Sequence, residues 1–294
     1  MALDVNGAKF LLYARRHGVS FSKTATIGRQ KMLLSPKDLR EHLRRFGVEI
    51  SANESEKLIS GSDKFAERFL NILGAEEIVS FDASPYEHAS VLHDFNQPIP
   101  DEFKNRFTAL LDGGTLEHVF NFPTAIKNCM EMVKVGGHFL SIAPANNYFG
   151  HGFYQFSPEL FFRIFSIQNG FEIQQVMIFE ETPDSPWYEV ADPDVVKERV
   201  WLINSQPSLL LVIAKRIKTV EIFGSLPQQS DYVAIWKSGN ENDVSKPGSR
   251  FAGIPFRNLV RFPLTAVRQI YRRANRAVGM LRRRPKHFKK VDLP

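Results

Sequence analysis

The sequence predicts an α/β fold: a doubly wound, mostly parallel sheet of seven strands, followed by a basic C-terminal helical tail. Three observations predict it. Short β-branched or apolar runs alternate with helical periodicities through the first half of the chain. Small and polar residues recur where the runs end, while the run bodies are apolar. Charge is segregated: residues 244–291 hold 14 Lys or Arg and no Asp or Glu. With +6 overall, that segment carries +14 and leaves −8 on the rest. An acidic body with a basic tail argues against a nucleic-acid binder that uses its whole surface.

The elements follow in order. Residues 23–27 read as a strand entering a turn at Gly28. Ser35 fits the N-cap of a helix, Pro36 its first position, and Leu39, Leu43 and Phe46 share one face before Gly47. Residues 62–73 form a second helical stretch. Strands are predicted at 77–82, 89–94 and 107–112, the last followed by Gly113 and Gly114. A helix at 123–133 leads through Gly136 and Gly137 into a strand at 139–143. Ser157 and Pro158 open a helix through Ile167 that Gly170 ends. Strands at 172–179 and 209–215 complete the sheet, separated by an insertion at 180–207 with a helical piece at 194–202. The expected organisation is a lead-in (1–22), an α/β domain (23–218), a Gly-, Ser-, Asn- and Pro-rich linker (219–253) and a tail (254–294).

The composition bounds the function. The chain has 294 residues, 43% hydrophobic and 24% charged, which excludes a wholly disordered protein. The longest clean apolar run, 209–214, is far short of the roughly 20 residues of a spanning helix. The start lacks a basic region with a long apolar core, so no secretory signal is expected and the cytoplasm is the expected compartment. The single cysteine, Cys129, excludes an internal disulfide framework and is expected to be buried. His93, His118 and His151 with Asp94 lack the spacing of a metal site, so none is expected.

In an open α/β sheet, ligands sit beyond the carboxyl ends of the strands. Those ends carry Gly28, Asp82, His93 and Asp94, Asp112 to Gly114 with Glu117 and His118, and Pro144 to Asn147. An acid ending the second strand can accept from two vicinal ribose hydroxyls; otherwise it caps the turn at Ser84 and Pro85. The run from Leu111 to Val119, Leu-Asp-Gly-Gly-Thr-Leu-Glu-His-Val, and the run from Val133 to Leu140 with its Gly136-Gly137 pair, resemble the class I S-adenosylmethionine-dependent methyltransferases. Residues 78–82 and 91–100 resemble that family's second strand with its acid and its third strand with the adenine-side loop. The resemblance covers residues 23–215 and implies a Rossmann-like methyltransferase fold with S-adenosylmethionine as cofactor.

On that resemblance Gly28, Asp82, Asp94 and Glu117 bind the cofactor, and His151 or His118 is the catalytic base. Tyr148 and Tyr154 stand on the acceptor side. A structural hydrogen bond is the other reading for Glu117 and His118, and an ordinary loop acid for Asp94. The family's glycine-rich loop is reduced to Thr26-Ile27-Gly28-Arg29-Gln30-Lys31, with one glycine and no leading acid. Three functions are therefore open. The first is a methyltransferase acting on a small-molecule, glycan or lipid-precursor acceptor. The second is a degenerate, non-catalytic binding or scaffold module of that fold. The third is a membrane-surface protein working through its tail. In the tail, Leu264, Val267, Ile270, Tyr271, Ala274, Val278 and Leu281 recur at helical spacing. Such a basic amphipathic helix at 250–290 suits an anionic membrane surface, a partner or the acidic body, with nucleic acid as the weakest alternative.

Overall fold

The computed structural model describes residues 2–59, 64–182, 185–238 and 287–294. Five parallel strands form its centre: β2 (Lys23–Ile27), β4 (Glu77–Asp82), β5 (Val91–Leu92), β6 (Phe107–Asp112) and β7 (Val133–Pro144). Their spatial order is β5-β4-β2-β6-β7, so the chain winds outward from β2 and then returns to its other side at β6. This reversal is the topological switch point of a doubly wound sheet, where a crevice opens beyond the strand ends.

The sheet is not the predicted seven-stranded one. Among the described residues it has nine strands and is mixed. Beside β7 lies β10 (Ser208–Arg216), antiparallel both to β7 and to β8 (Phe171–Glu180). The two extra strands are β9 (Tyr188–Val190), which lies inside the expected insertion, and β11 (Phe288–Lys290). They continue the sheet by antiparallel pairing, β9 on β8 and β11 on β9. Both are three residues long, too short to give a periodicity signal. The basic tail expected at 254–294 lies outside the described residues up to 286, and the linker does so at 239–253. The one-turn helix α7 (Pro193–Val196) replaces the helical piece expected at 194–202, because Lys197 takes a left-handed backbone, φ 55°, and breaks it.

Both sheet faces are covered. Along β6, Leu110 joins one apolar cluster while Ala109 and Leu111 join the other, as alternating strand side chains must; Phe107 joins the cluster of Leu110 across the register shift between Phe107 and Ala109. One cluster includes Ala125, Ile126 and Cys129 of α5 (Phe122–Met132) and Phe161 of α6 (Pro158–Ile164). The other is built under α1 (Val5–Arg16), α2 (Pro36–Arg45), α3 (Ala52–Ile59) and α4 (Glu67–Ile72).

Helix α1 occupies the expected lead-in. Asp4 caps it by accepting from the Gly7 amide at 2.8 Å, and Phe10, Leu11 and Ala14 are buried. Strand β1 (Ala2–Leu3) pairs with β3 (Lys31–Met32), which ties the N-terminus to the loop after β2. At α2, Ser35 accepts from the Asp38 amide at 3.1 Å and Pro36 takes the first turn, as the sequence predicts. No helix among the described residues is long and apolar enough to cross a membrane.

His138 on β7 is 4% exposed, and burial, with Lys215 adding to it, lowers its imidazole to about 4. Its folded value lies below its unfolded one, so it contributes stability at neutral pH that is lost as pH falls. Relative to His138→Gln, the native chain should lose about 1 kcal/mol between about pH 7 and pH 5.5. Urea titrations at the two pH values check this; a constant difference between the two proteins contradicts it.

Candidate functional site at the strand ends

The site begins where β2 stops. Gly28 has φ 72°, and its amide donates to the Phe81 carbonyl at 2.7 Å, folding the chain across the end of β4. Arg29 is committed to the fold: its Nε donates to Glu67 at 2.6 Å, and its guanidinium lies 3.8 Å from the centre of the Phe65 ring. Gln30 turns inward and is 1% exposed. Its Nε2 donates to the Ile27 carbonyl at 2.9 Å, while its Oε1 is buried without a partner among the described residues. The Gln30 amide lies directly over Gly113, where a Cβ would come 2.4 Å from Oε1. Across the switch point, the Thr115 hydroxyl donates to the Ile27 carbonyl at 2.6 Å.

The two outer acids sit in Asx turns. Asp82 ends β4, and its Oδ1 accepts from the Ser84 amide at 2.9 Å, the turn-capping role that the sequence offered as an alternative. Asp94 follows β5 and is exposed; its Oδ1 accepts from the amide and the side chain of Asn96, at 2.9 and 2.7 Å. These bonds hold the Asp94 carboxyl below the usual range. In both residues the bonds within the described chain run to Oδ1 and leave Oδ2 for another donor.

Beyond β6 the chemistry is denser. Asp112 is fully buried, and its Oδ1 accepts from the amides of Thr115 and Leu116 at 2.9 and 3.2 Å. Its Oδ2 accepts from the Ser141 hydroxyl at 2.8 Å. Burial raises its carboxyl to about 6, against the pull of these donors. Glu117 is 1% exposed, and its Oε2 has no partner among the described residues. Burial first, and then the Asp112 charge, raise the Glu117 carboxyl to about 8. Its Oε1 lies 3.2 Å from His151 Nε2 and 3.8 Å from His118 Nε2. The two imidazoles are half exposed, with ring centres 4.9 Å apart. Burial, then His151, lower the His118 pKa.

The loop carrying His151 is pinned to Glu117 by its own backbone. The Phe153 amide donates to the Glu117 carbonyl at 2.8 Å. Gly152, at φ 72°, allows this approach, since a Cβ there would lie 2.8 Å from that carbonyl. Tyr148 stacks edge-on against His151 at 5.5 Å and donates its hydroxyl to Glu181 at 2.6 Å. Burial and that bond raise its phenol pKa further. Tyr154 donates its hydroxyl to the Phe120 carbonyl at 2.6 Å. Both tyrosines therefore offer ring faces rather than free hydroxyls.

Of the predicted site residues, the structure gathers Glu117, His118, His151 and Tyr148 into one cluster, with Tyr154 on the adjoining loop. The Gly28 amide bonds the carbonyl of Phe81, next to Asp82, and the Asp94 carboxyl connects inward through Asn96, whose side chain accepts from the Asn121 amide at 2.8 Å. Sequence reasoning gave no role to Gln30, Glu181 or Gly152. Gln30 had a signal: a long polar side chain where the resembled loop places glycine.

No family model matches the sequence, and no curated protein matches it. Solved structures with a similar course of chain include a branched-chain polyamine synthase mutein from Thermus thermophilus, in complex with N4-aminopropylspermidine and 5′-methylthioadenosine. It is 11% identical, with a TM-score of 0.39 over 78% of this chain, and this chain spans 60% of its length. The trans-methyltransferase CalH with SAH is 12% identical, with a TM-score of 0.40 over 72% of this chain and 57% of its own. An S-adenosylmethionine-dependent methyltransferase from Mesorhizobium loti is 14% identical, with a TM-score of 0.37 over 72% of this chain and 100% of its own.

Proposed function

We propose that this chain is an S-adenosylmethionine-dependent methyltransferase acting on a small-molecule, glycan or lipid-precursor acceptor. The observation that carries the reading is the convergence of Glu117, His118 and His151 at the carboxyl end of β6 and β7. That place adjoins the switch point of a doubly wound sheet, where such folds hold ligands. The two runs that resemble the methyltransferases cover the end of β6 with the turn after it and the first part of β7, and α5 lies between them.

The residues present fit the nucleoside half of the cofactor. Asp82 Oδ2 is open to ribose hydroxyls and Asp94 Oδ2 to an adenine amino group, while Gly28 brings the backbone close. When bound, the cofactor supplies an electrophilic methyl group on a sulfonium. The chain's part is to orient the acceptor and take its proton. His118 accepts that proton, and Glu117 holds the His151 ring beside it. The ring faces of Tyr148 and Tyr154 flank the approach.

Gln30 supports the second reading, a non-catalytic binding module. Its side chain fills the space above Gly113, and it has to turn aside before a ligand can lie there. Calorimetric titration of the full chain with S-adenosylhomocysteine separates the two readings. The enzyme reading expects one site per chain with submillimolar affinity. Absence of binding at millimolar ligand overturns it in favour of the module.

A further inference from the structure

We propose that Glu117, His118 and His151 form a binding site for one divalent transition-metal ion of the zinc type. The donor atoms, one carboxylate oxygen and two imidazole nitrogens, all lie within 4.8 Å of one another. Zinc bonds of 2.0–2.2 Å at tetrahedral angles set donor atoms roughly 3.4 Å apart. The two separations from Glu117 Oε1, 3.2 Å to His151 Nε2 and 3.8 Å to His118 Nε2, bracket that value. The imidazoles are half exposed, so small ring rotations close the remaining difference.

Independent features point the same way. Glu117 is 1% exposed and its Oε1 meets His151, yet its Oε2 has no donor among the described residues, so the cluster holds a buried acceptor whose capacity is unmet. The loop bearing His151 is held against Glu117 by the Phe153 amide, an approach that only glycine at position 152 allows. Two nitrogens and one oxygen match sites that take zinc or iron with three protein ligands and keep positions open. Magnesium and calcium prefer all-oxygen shells and fit less well. The two histidines are half exposed, which leaves open positions on the solvent side; an ion held there would take the Nε2 lone pair of His118, so the proton-accepting role of that ring belongs to the ion-free chain.

The test uses the full chain without an affinity tag, stripped with chelator and titrated with Zn²⁺ by calorimetry and with Co²⁺ by visible absorption. One ion per chain is expected, with Co²⁺ bands of a nitrogen-ligated, low-coordinate site. His118→Ala and His151→Ala should each weaken binding at least about tenfold. So should Gly152→Ala, which keeps every ligand but forces the His151 loop from Glu117. Circular dichroism confirms that each variant is folded, and the half-exposed histidines are the variants least exposed to a folding defect. Weakening below tenfold in both histidine variants, or no binding at one ion per chain, overturns the proposal. The ion is titrated alone, so its outcome is independent of whether the chain transfers methyl groups.

Discussion

Asp112→Ala should unfold at a much lower urea concentration than the native chain, with a loss of at least about 3 kcal/mol. Asp112 is fully buried and accepts from two backbone amides and the Ser141 hydroxyl. Alanine leaves these donors facing a cavity, and each unpaired buried donor costs roughly 1–3 kcal/mol. Asp112→Asn should cost less, because its amide oxygen still accepts from Thr115 and Leu116. Urea titration of the two variants gives the ranking. A loss below about 1 kcal/mol for alanine would mean that the turn after β6 does not depend on the carboxylate.

Asp82→Ala should leave stability almost unchanged but weaken S-adenosylhomocysteine binding at least tenfold. The residue is half buried, and its bond to the Ser84 amide is a local turn contact that water can replace. A charge-assisted bond from a ribose hydroxyl is worth roughly 1.5–3 kcal/mol, and 1.4 kcal/mol is already tenfold. Calorimetry on the variant reads the affinity and a thermal melt reads the stability. Equal affinity in native chain and variant would remove Asp82 from the site, leaving it the turn cap alone.

These two aspartates show what the sequence carries and what it does not. Each ends a strand, and the short, largely apolar run before it makes β4 and β6 readable. Their roles differ because Asp112 lies under the chain segment that crosses the switch point, whereas Asp82 lies at its rim. Burial of that kind is a tertiary property with no local periodicity. The same holds for Glu117, whose neighbour His118 is adjacent in sequence but whose partner His151 arrives from a loop 34 residues away. Ser35, Pro36 and Gly47 gave α2 because capping is local chemistry. Helix α1 also carried its signals, Asp4 as cap and Phe10, Leu11 and Ala14 on one face, but went unread as part of a lead-in. β9 depends on the edge that β8 offers and β11 on the edge that β9 then offers, which no reading of their own residues could supply.

The central claim is that the strand ends around the switch point hold an adenosyl ligand. Hydrogen–deuterium exchange of the full chain, with and without saturating S-adenosylhomocysteine, tests it most directly. Slowed exchange is predicted at residues 28–31, 82–84, 94–97 and 113–118, with little change in α2 and α3. Protection confined to other segments, or none at saturating ligand, would contradict the claim.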